Sequence, residues 1–196
     1  MAARYFNWKL AIVLFVGIVV FAGAAFALRQ WQRNTRAQEA RPLGEQAYEQ
    51  QDWDEAANQL GRYLAVEWDS VPHLLMYADA QLKRRPVTPS HYQQAVAAYR
   101  AVLRLENDHA EATSRLTELY LGMRAPGEAE LIARPYLERH DDPNVSRMLG
   151  IALAQQNKPE EAEAHFSDLL REHPDEIAAY ETIGFLAAAR REPACW

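Results

Sequence analysis

Cysteine is almost missing from this chain. Its 196 residues hold one, Cys195, next to the last residue. A lone cysteine excludes an intramolecular disulfide framework and a cysteine-rich zinc site. An excess of basic charge is also missing: the formal net charge is −6, so no nucleic-acid footprint is indicated. No glycine loop of the phosphate-cradling kind is present, and neither is a Gly-x-Ser-x-Gly elbow or a His-Glu-x-x-His pair. The six histidines are His73, His91, His109, His140, His165 and His173, and none stands at a zinc-ligand spacing. His165 and His173 flank a predicted helix end and read as surface residues. His140-Asp141-Asp142 offers too few local ligands for a cation. Acid pairs such as Glu160-Glu161 read as helix-start charges rather than a general acid and base. Asn144-Val145-Ser146 has the form of a glycosylation sequon, but after Pro143 it reads as the polar start of a helix. No catalytic residue, cofactor site or metal site is therefore expected.

What is present is repetition. An alanine follows a glutamate or glutamine at Ala56, Ala95, Ala129 and Ala162; the spacings are 39, 34 and 33 residues. Thirteen residues upstream of three of these stand Leu43-Gly44, Leu116-Thr117 and Leu149-Gly150. In the second copy Tyr77-Ala78 stands 18 residues upstream of Ala95, with five residues inserted around Arg85-Pro86-Val87-Thr88-Pro89. Downstream come Leu60/Tyr63, Tyr99/Val102, Ala133/Tyr136 and Phe166/Leu169. Periods of 20–50 residues mean stacked units rather than one closed core.

This pattern resembles the tetratricopeptide repeat, over roughly residues 37–190. The tryptophan usual near the start of each unit is absent: Ala40, Leu74, Thr113, Ser146 and Tyr180 stand there, and a closing proline is clear only at Pro174. The resemblance implies an all-α fold, an α-solenoid of antiparallel helix pairs with about four units and a final half unit. The units fall at about 37–70, 71–108, 109–142, 143–176 and 177–190, with a tail over 191–196. Gly44, Ala56, Ala78, Ala95, Ala129, Gly150, Ala162 and Gly184 are the expected packing positions, because small residues let two helix backbones approach.

The family's groove-facing spacing implies a partner surface. It comprises Arg41, Glu45 and Glu49 from the first unit, and Leu75, Asp79 and Lys83 from the second. The third gives Glu111, Ser114 and Glu118, the fourth Arg147 and Ile151, and the last Glu181 and Phe185. Some relatives clamp a terminal carboxylate with lysine, asparagine and arginine. Here Glu45, Asp79 and Glu118 stand where that asparagine would be, so no such clamp is expected. Acids outnumber bases on this surface, which favours a basic or amphipathic peptide as partner.

Ahead of the repeats, residues 10–28 run without a charge. Nineteen helical residues span about 28 Å, close to the ~30 Å hydrocarbon core of a bilayer. Trp8 and Trp31 flank the run as an aromatic belt would, with Lys9 and Arg29 just inside them. The run reads as a single-pass anchor after a short tail over 1–9, and 29–41 as a helical linker. A cleaved signal peptide is the alternative, with Ala22-Gly23-Ala24 and Ala25-Phe26-Ala27 as cleavage-like sequences; the run is longer than a usual signal core. Cleavage would make the repeats secreted or periplasmic. Arg4, Lys9 and the α-amine on one side oppose Arg29, Arg33, Arg36 and Arg41 on the other, so the side of the membrane stays open. Pro42 is expected to kink or restart the linker helix, and Pro135 to bend a later one.

Function follows as an expectation: a non-catalytic, membrane-tethered scaffold that holds a partner segment in its groove. The half unit and the apolar Phe185-Leu186-Ala187-Ala188-Ala189 motivate the alternative, the anchored front of a larger enzyme or of a secretion or assembly complex.

Overall fold

The computed structural model describes residues 8–176 and 179–181. Within that range the chain is all helical: α1 (Trp8–Glu49), α2 (Trp53–Leu64), α3 (Val71–Lys83), α4 (Pro89–Leu105), α5 (Ala110–Gly122), α6 (Pro126–Leu137), α7 (Pro143–Gln155) and α8 (Pro159–Glu172). They fall into two compact units, divided between Trp68 and Asp69.

The helix starts follow from local chemistry. Pro89, Pro126, Pro143 and Pro159 each open a helix, where the missing amide proton is not needed. Asp52 caps α2 by accepting from the Glu55 amide at 3.1 Å. Asp142 caps α7, accepting from the amides of Asn144 at 3.0 Å and Val145 at 3.1 Å. A histidine ring caps α5: Nδ1 of His109 accepts from the Ala112 amide at 3.3 Å. Asn144 thus belongs to a helix start, as its sequence setting implies.

Three of the four hairpins turn in the same way. Gln51, Arg124 and Asn157 follow the first helix of their pairs with φ of 61°, 56° and 61°. The next amide reaches five residues back: Asp52 to the Ala47 carbonyl at 2.9 Å, Ala125 to Tyr120 at 2.8 Å, Lys158 to Leu153 at 3.1 Å. This is the Schellman closure of a helix end. The pair α3–α4 lacks it, because the inserted residues 84–88 make a longer loop.

In the first unit α1 packs on α2. The apolar run, the linker and the first repeat helix are one helix, and Pro42 does not restart it. A restart was expected because proline cannot donate; the helix nevertheless continues through it to Glu49. Likewise α6 runs through Pro135 to Leu137. Along the run, the described large side chains, Phe15, Ile18, Val19, Val20, Phe21, Phe26 and Leu28, are all exposed. Among the described residues no helix is long and apolar enough to cross a membrane. The side chains at 9–14 and 16 of this run lie outside the described residues.

In the second unit α3 pairs with α4, α5 with α6 and α7 with α8, and successive pairs stack through α4 on α5, α6 on α7 and α5 on α7. The core is the repeated ladder. Ala95, Tyr99 and Val102 are buried, as are Ala129, Ala133 and Tyr136, and Ala162, Phe166 and Leu169; in the first unit Ala56, Leu60 and Tyr63 are buried in the same way. Upstream, Ala78, Leu116, Thr117, Leu149 and Gly150 are buried, but Leu43 is half exposed, against the expectation from its register. A Cβ on Gly44 would come within 2.9 Å of Leu60 Cγ, and one on Gly150 within 2.5 Å of the Phe166 ring. Both glycines are therefore required by close helix approach. Gly184 and Phe185 lie outside the described residues, as does most of the half unit; of it Ala179 is buried and Glu181 exposed.

Candidate functional site: a groove over three helices

The second unit carries a cavity of about 540 Å³ where α3, α4 and α5 meet. Asp79, Leu82 and Lys83 come from α3, Tyr92 and Tyr99 from α4, and Arg115, Glu118, Leu119, Gly122 and Met123 from α5. Three sequence-predicted groove residues, Asp79, Lys83 and Glu118, meet here. The i, i+4 step from Asp79 to Lys83 puts both on one face of α3, with their charges 2.6 Å apart. Across from them Arg115 reaches Glu118 at 3.5 Å. The rim is therefore paired, two acids with two bases, and less acidic than a count of the predicted residues implies.

The floor is more one-sided. Tyr99 is 2% exposed, and its phenol is pushed up to about 12. Burial is the main cause; Asp79, Glu111 and Glu118 add to it, opposed by Arg115. Three carboxylates thus act on one buried ring against one guanidinium. Tyr92 and Met123 remain exposed above it. Chemically the cavity offers an aromatic and aliphatic floor, a negative field and a mixed-charge rim, with no nucleophile set beside a base.

The remaining predicted groove residues divide. Ser114 accepts from Asn144 Nδ2 at 3.0 Å, tying α5 to α7. Arg147 donates to Asn144 Oδ1 at 2.8 Å and pairs with Glu176 at 3.4 Å. Ser114 is thus engaged between neighbouring repeats and Arg147 within its own. Ile151 packs on the α7–α8 core, and Leu75 is half-buried outside the cavity wall. Arg41, Glu45 and Glu49 belong to the first unit, where Arg41 pairs with Glu45 at 2.9 Å.

The sequence pattern missed a polar cluster beside this cavity. Gln81 is 2% exposed; its Nε2 donates to Gln94 Oε1 at 2.6 Å, and the Tyr77 hydroxyl donates to the same oxygen at 2.8 Å. The repeat period places Gln81 on a buried face, but glutamine there gave no apolar signal.

A second cavity of about 590 Å³, bounded by the α6–α7 loop, α7 and α8, gathers His140, His165 and His173. Each has a local setting. His140 stacks on Tyr136 with 4.6 Å between centroids. His165 Nε2 lies 2.8 Å from the Ser146 carbonyl, and the ring is half-buried rather than on the surface. His173 Nε2 meets Asp141 Oδ1 at 2.8 Å, a contact that raises its pKa. Among the described residues no group of three or more His, Cys, Asp or Glu side chains could hold a metal ion.

Comparison with known proteins agrees with this geometry. Residues 90–150 and residues 147–176 match two family models, each described as tetratricopeptide repeat. No curated protein matches the sequence. Among solved structures, a crystal structure of MamA protein aligns with a TM-score of 0.66 at 15% identity, covering 79% of this chain and 82% of that one. MamA 41-end from Desulfovibrio magneticus RS-1 aligns at 0.65 and 19% identity, covering 80% and 86%. YrrB, described as a TPR protein with an unusual peptide-binding site, aligns at 0.63 and 14% identity, covering 84% and 83%. Identities this low speak for the fold alone. The repeat matches thus cover residues 90–176, and the solved structures share the all-α repeat fold of this chain.

Proposed function

We propose that this protein is a membrane-tethered scaffold that performs no chemistry and holds a partner segment in the groove over α3, α4 and α5. The observation that carries the binding reading is the cavity floored by Tyr99, with Asp79, Glu111 and Glu118 acting on that ring. An amphipathic peptide suits it. Apolar side chains would cover Leu82, Tyr92, Leu119 and Met123, and a basic side chain would answer the three carboxylates. YrrB is described as binding a peptide on the same fold, which supports a peptide partner in kind. The tether rests on the uncharged run 10–28, its flanking Trp8 and Trp31, and the exposed apolar side chains from Phe15 to Leu28.

The test of the groove uses the full chain in detergent and a labelled amphipathic leucine–lysine peptide, read by fluorescence polarisation. The lysine peptide binds more tightly than its leucine–glutamate counterpart. The double substitution Asp79→Asn, Glu118→Gln weakens binding about fivefold, the size of a ~1 kcal/mol rim contribution. Asp168→Asn, on exposed α8 surface, leaves it unchanged. Equal binding of both peptides, or indifference to the double substitution, overturns the groove assignment.

A further inference from the structure

Four residues beyond each repeated alanine stand Leu60, Tyr99, Ala133 and Phe166, and all four are buried. Only Tyr99 brings a polar atom to this register. Phe166 shows that a bare phenyl ring serves the same place in another repeat, so the Tyr99 hydroxyl is not a packing requirement. The ring is 2% exposed and floors the cavity over α3, α4 and α5. No hydrogen bond joins its hydroxyl to any described residue, whereas the Tyr77 and Tyr136 hydroxyls donate to Gln94 and Asp142. Nor is the Tyr99 oxygen sealed off, as the Tyr120 hydroxyl is. A buried hydroxyl is costly to leave unpaired. This one therefore takes its hydrogen bond from whatever fills the cavity.

The charges around the ring select the kind of group. Asp79 of α3 and Glu111 and Glu118 of α5 act on Tyr99, and Arg115 opposes them. At the rim Lys83 is held by Asp79 at 2.6 Å, and Arg115 by Glu118 at 3.5 Å. Three acids against two bases leave one negative charge over the floor. A carbonyl oxygen would bring more negative charge to it, whereas one ammonium or guanidinium would neutralise it. The phenol oxygen has lone pairs to offer an N–H donor. The walls suit the stem of such a side chain, with Leu82 and Leu119 lying along its methylene groups while its charged end turns inward.

We propose that Tyr99 is the specificity residue of the groove: its hydroxyl oxygen accepts a hydrogen bond from one cationic side chain of the bound segment, between Asp79 and Glu118. This deepens the groove reading above and rests on it, since it takes the cavity as the place where the segment lies. Apolar contacts along Leu82, Leu119 and Met123 supply affinity, and Tyr99 selects a segment that carries a cation over the floor.

The test uses the full chain in detergent and two labelled amphipathic leucine–glutamine peptides, read by fluorescence polarisation. One carries a single central lysine and the other norleucine at that position, which keeps the four-carbon stem and lacks the ammonium. The wild type binds the lysine peptide more tightly. Tyr99→Phe reduces that preference about tenfold, or ~1.4 kcal/mol, near the size of one hydrogen bond to a charged group. It leaves binding of the norleucine peptide unchanged. Tyr120→Phe is the control: its hydroxyl lines neither cavity, and the preference stays intact. Thermal unfolding of each variant shows that it is folded. A lysine preference that survives Tyr99→Phe, or none in the wild type, overturns the role of Tyr99 while the groove stands. Equal weakening of both peptides would assign the hydroxyl to the peptide backbone or to packing, and overturns the role as well. If neither peptide binds the wild type, the groove reading itself fails, and the role of Tyr99 with it.

Discussion

At the residue scale the fold is governed by volume exchanged across each helix pair. Gly44 faces Leu60, and Gly150 faces Phe166, both at distances that admit no Cβ without movement. At the corresponding places in the other two pairs the first helix carries Ala78 and Thr117, and the second carries Tyr99 and Ala133. Where the second helix offers alanine, the first can hold threonine; where it offers phenylalanine, only glycine fits. Phe166 is fully buried, so its ring has no open space into which to retreat. Gly150→Ala should therefore destabilise the chain by about 1–3 kcal/mol from overpacking, despite a helix-propensity gain of about 1 kcal/mol. A lowered Tm in thermal unfolding checks this, and an unchanged or raised Tm contradicts it. These small positions were legible in the sequence because their period is fixed by geometry. Leu43 was not. Its register matches Leu116 and Leu149, yet it is half exposed in the wall of a cleft between α1 and α2. Periodicity gives a residue's facing direction and not what covers that face.

Between elements, the clearest joint centres on Glu130 of α6. Its carboxylate accepts from Arg134 on its own helix, from Gln156 Nε2 at 2.7 Å, and from Lys158 Nζ at 3.2 Å. The last two belong to the turn between α7 and α8, so one acid ties successive repeats together. These bonds, led by that from Arg134, hold its pKa at about 2, against an ordinary 4.5. A carboxyl depressed by folding adds stability that is present above the unfolded value, and that stability is lost as pH falls through the folded one. Glu130→Gln should cost about 1 kcal/mol at neutral pH, held to that size because Arg134 and Lys158 are partly solvated. The difference in Tm between wild type and variant should shrink as pH falls from about 4.5 to 2. A difference independent of pH would show that the charge is not what binds the joint. The hairpin turns show where sequence reading stopped. In the turn ahead of Pro126-Gly127 the left-handed residue is Arg124 rather than a glycine. The three closures became visible only as a shared hydrogen-bond pattern. Nor did the sequence show that α1 would run unbroken through Pro42, since a proline's cost does not reveal whether packing on α2 outweighs it.

Taken as a whole, the molecule joins two kinds of element with different sequence signatures. The repeats were legible because four alanines in near-register and their buried partners report one two-helix unit used again. The candidate groove was legible in part. Asp79, Lys83 and Glu118 come together as the resemblance implies, whereas Ser114 serves a contact between repeats and Arg147 one within its own. The aromatic floor of the groove was not foreseen, since Tyr92 and Tyr99 come from the second helix of the pair, and first-helix spacing says nothing about it. The proposed tether would place this binding groove at a bilayer. Carbonate extraction of membranes containing the full-length protein tests that most directly. The protein should stay in the pellet at full length, as a helix through the hydrocarbon core requires. Recovery in the supernatant, shortened by about 27 residues, would identify the run as a cleaved signal peptide and contradict the tethered scaffold.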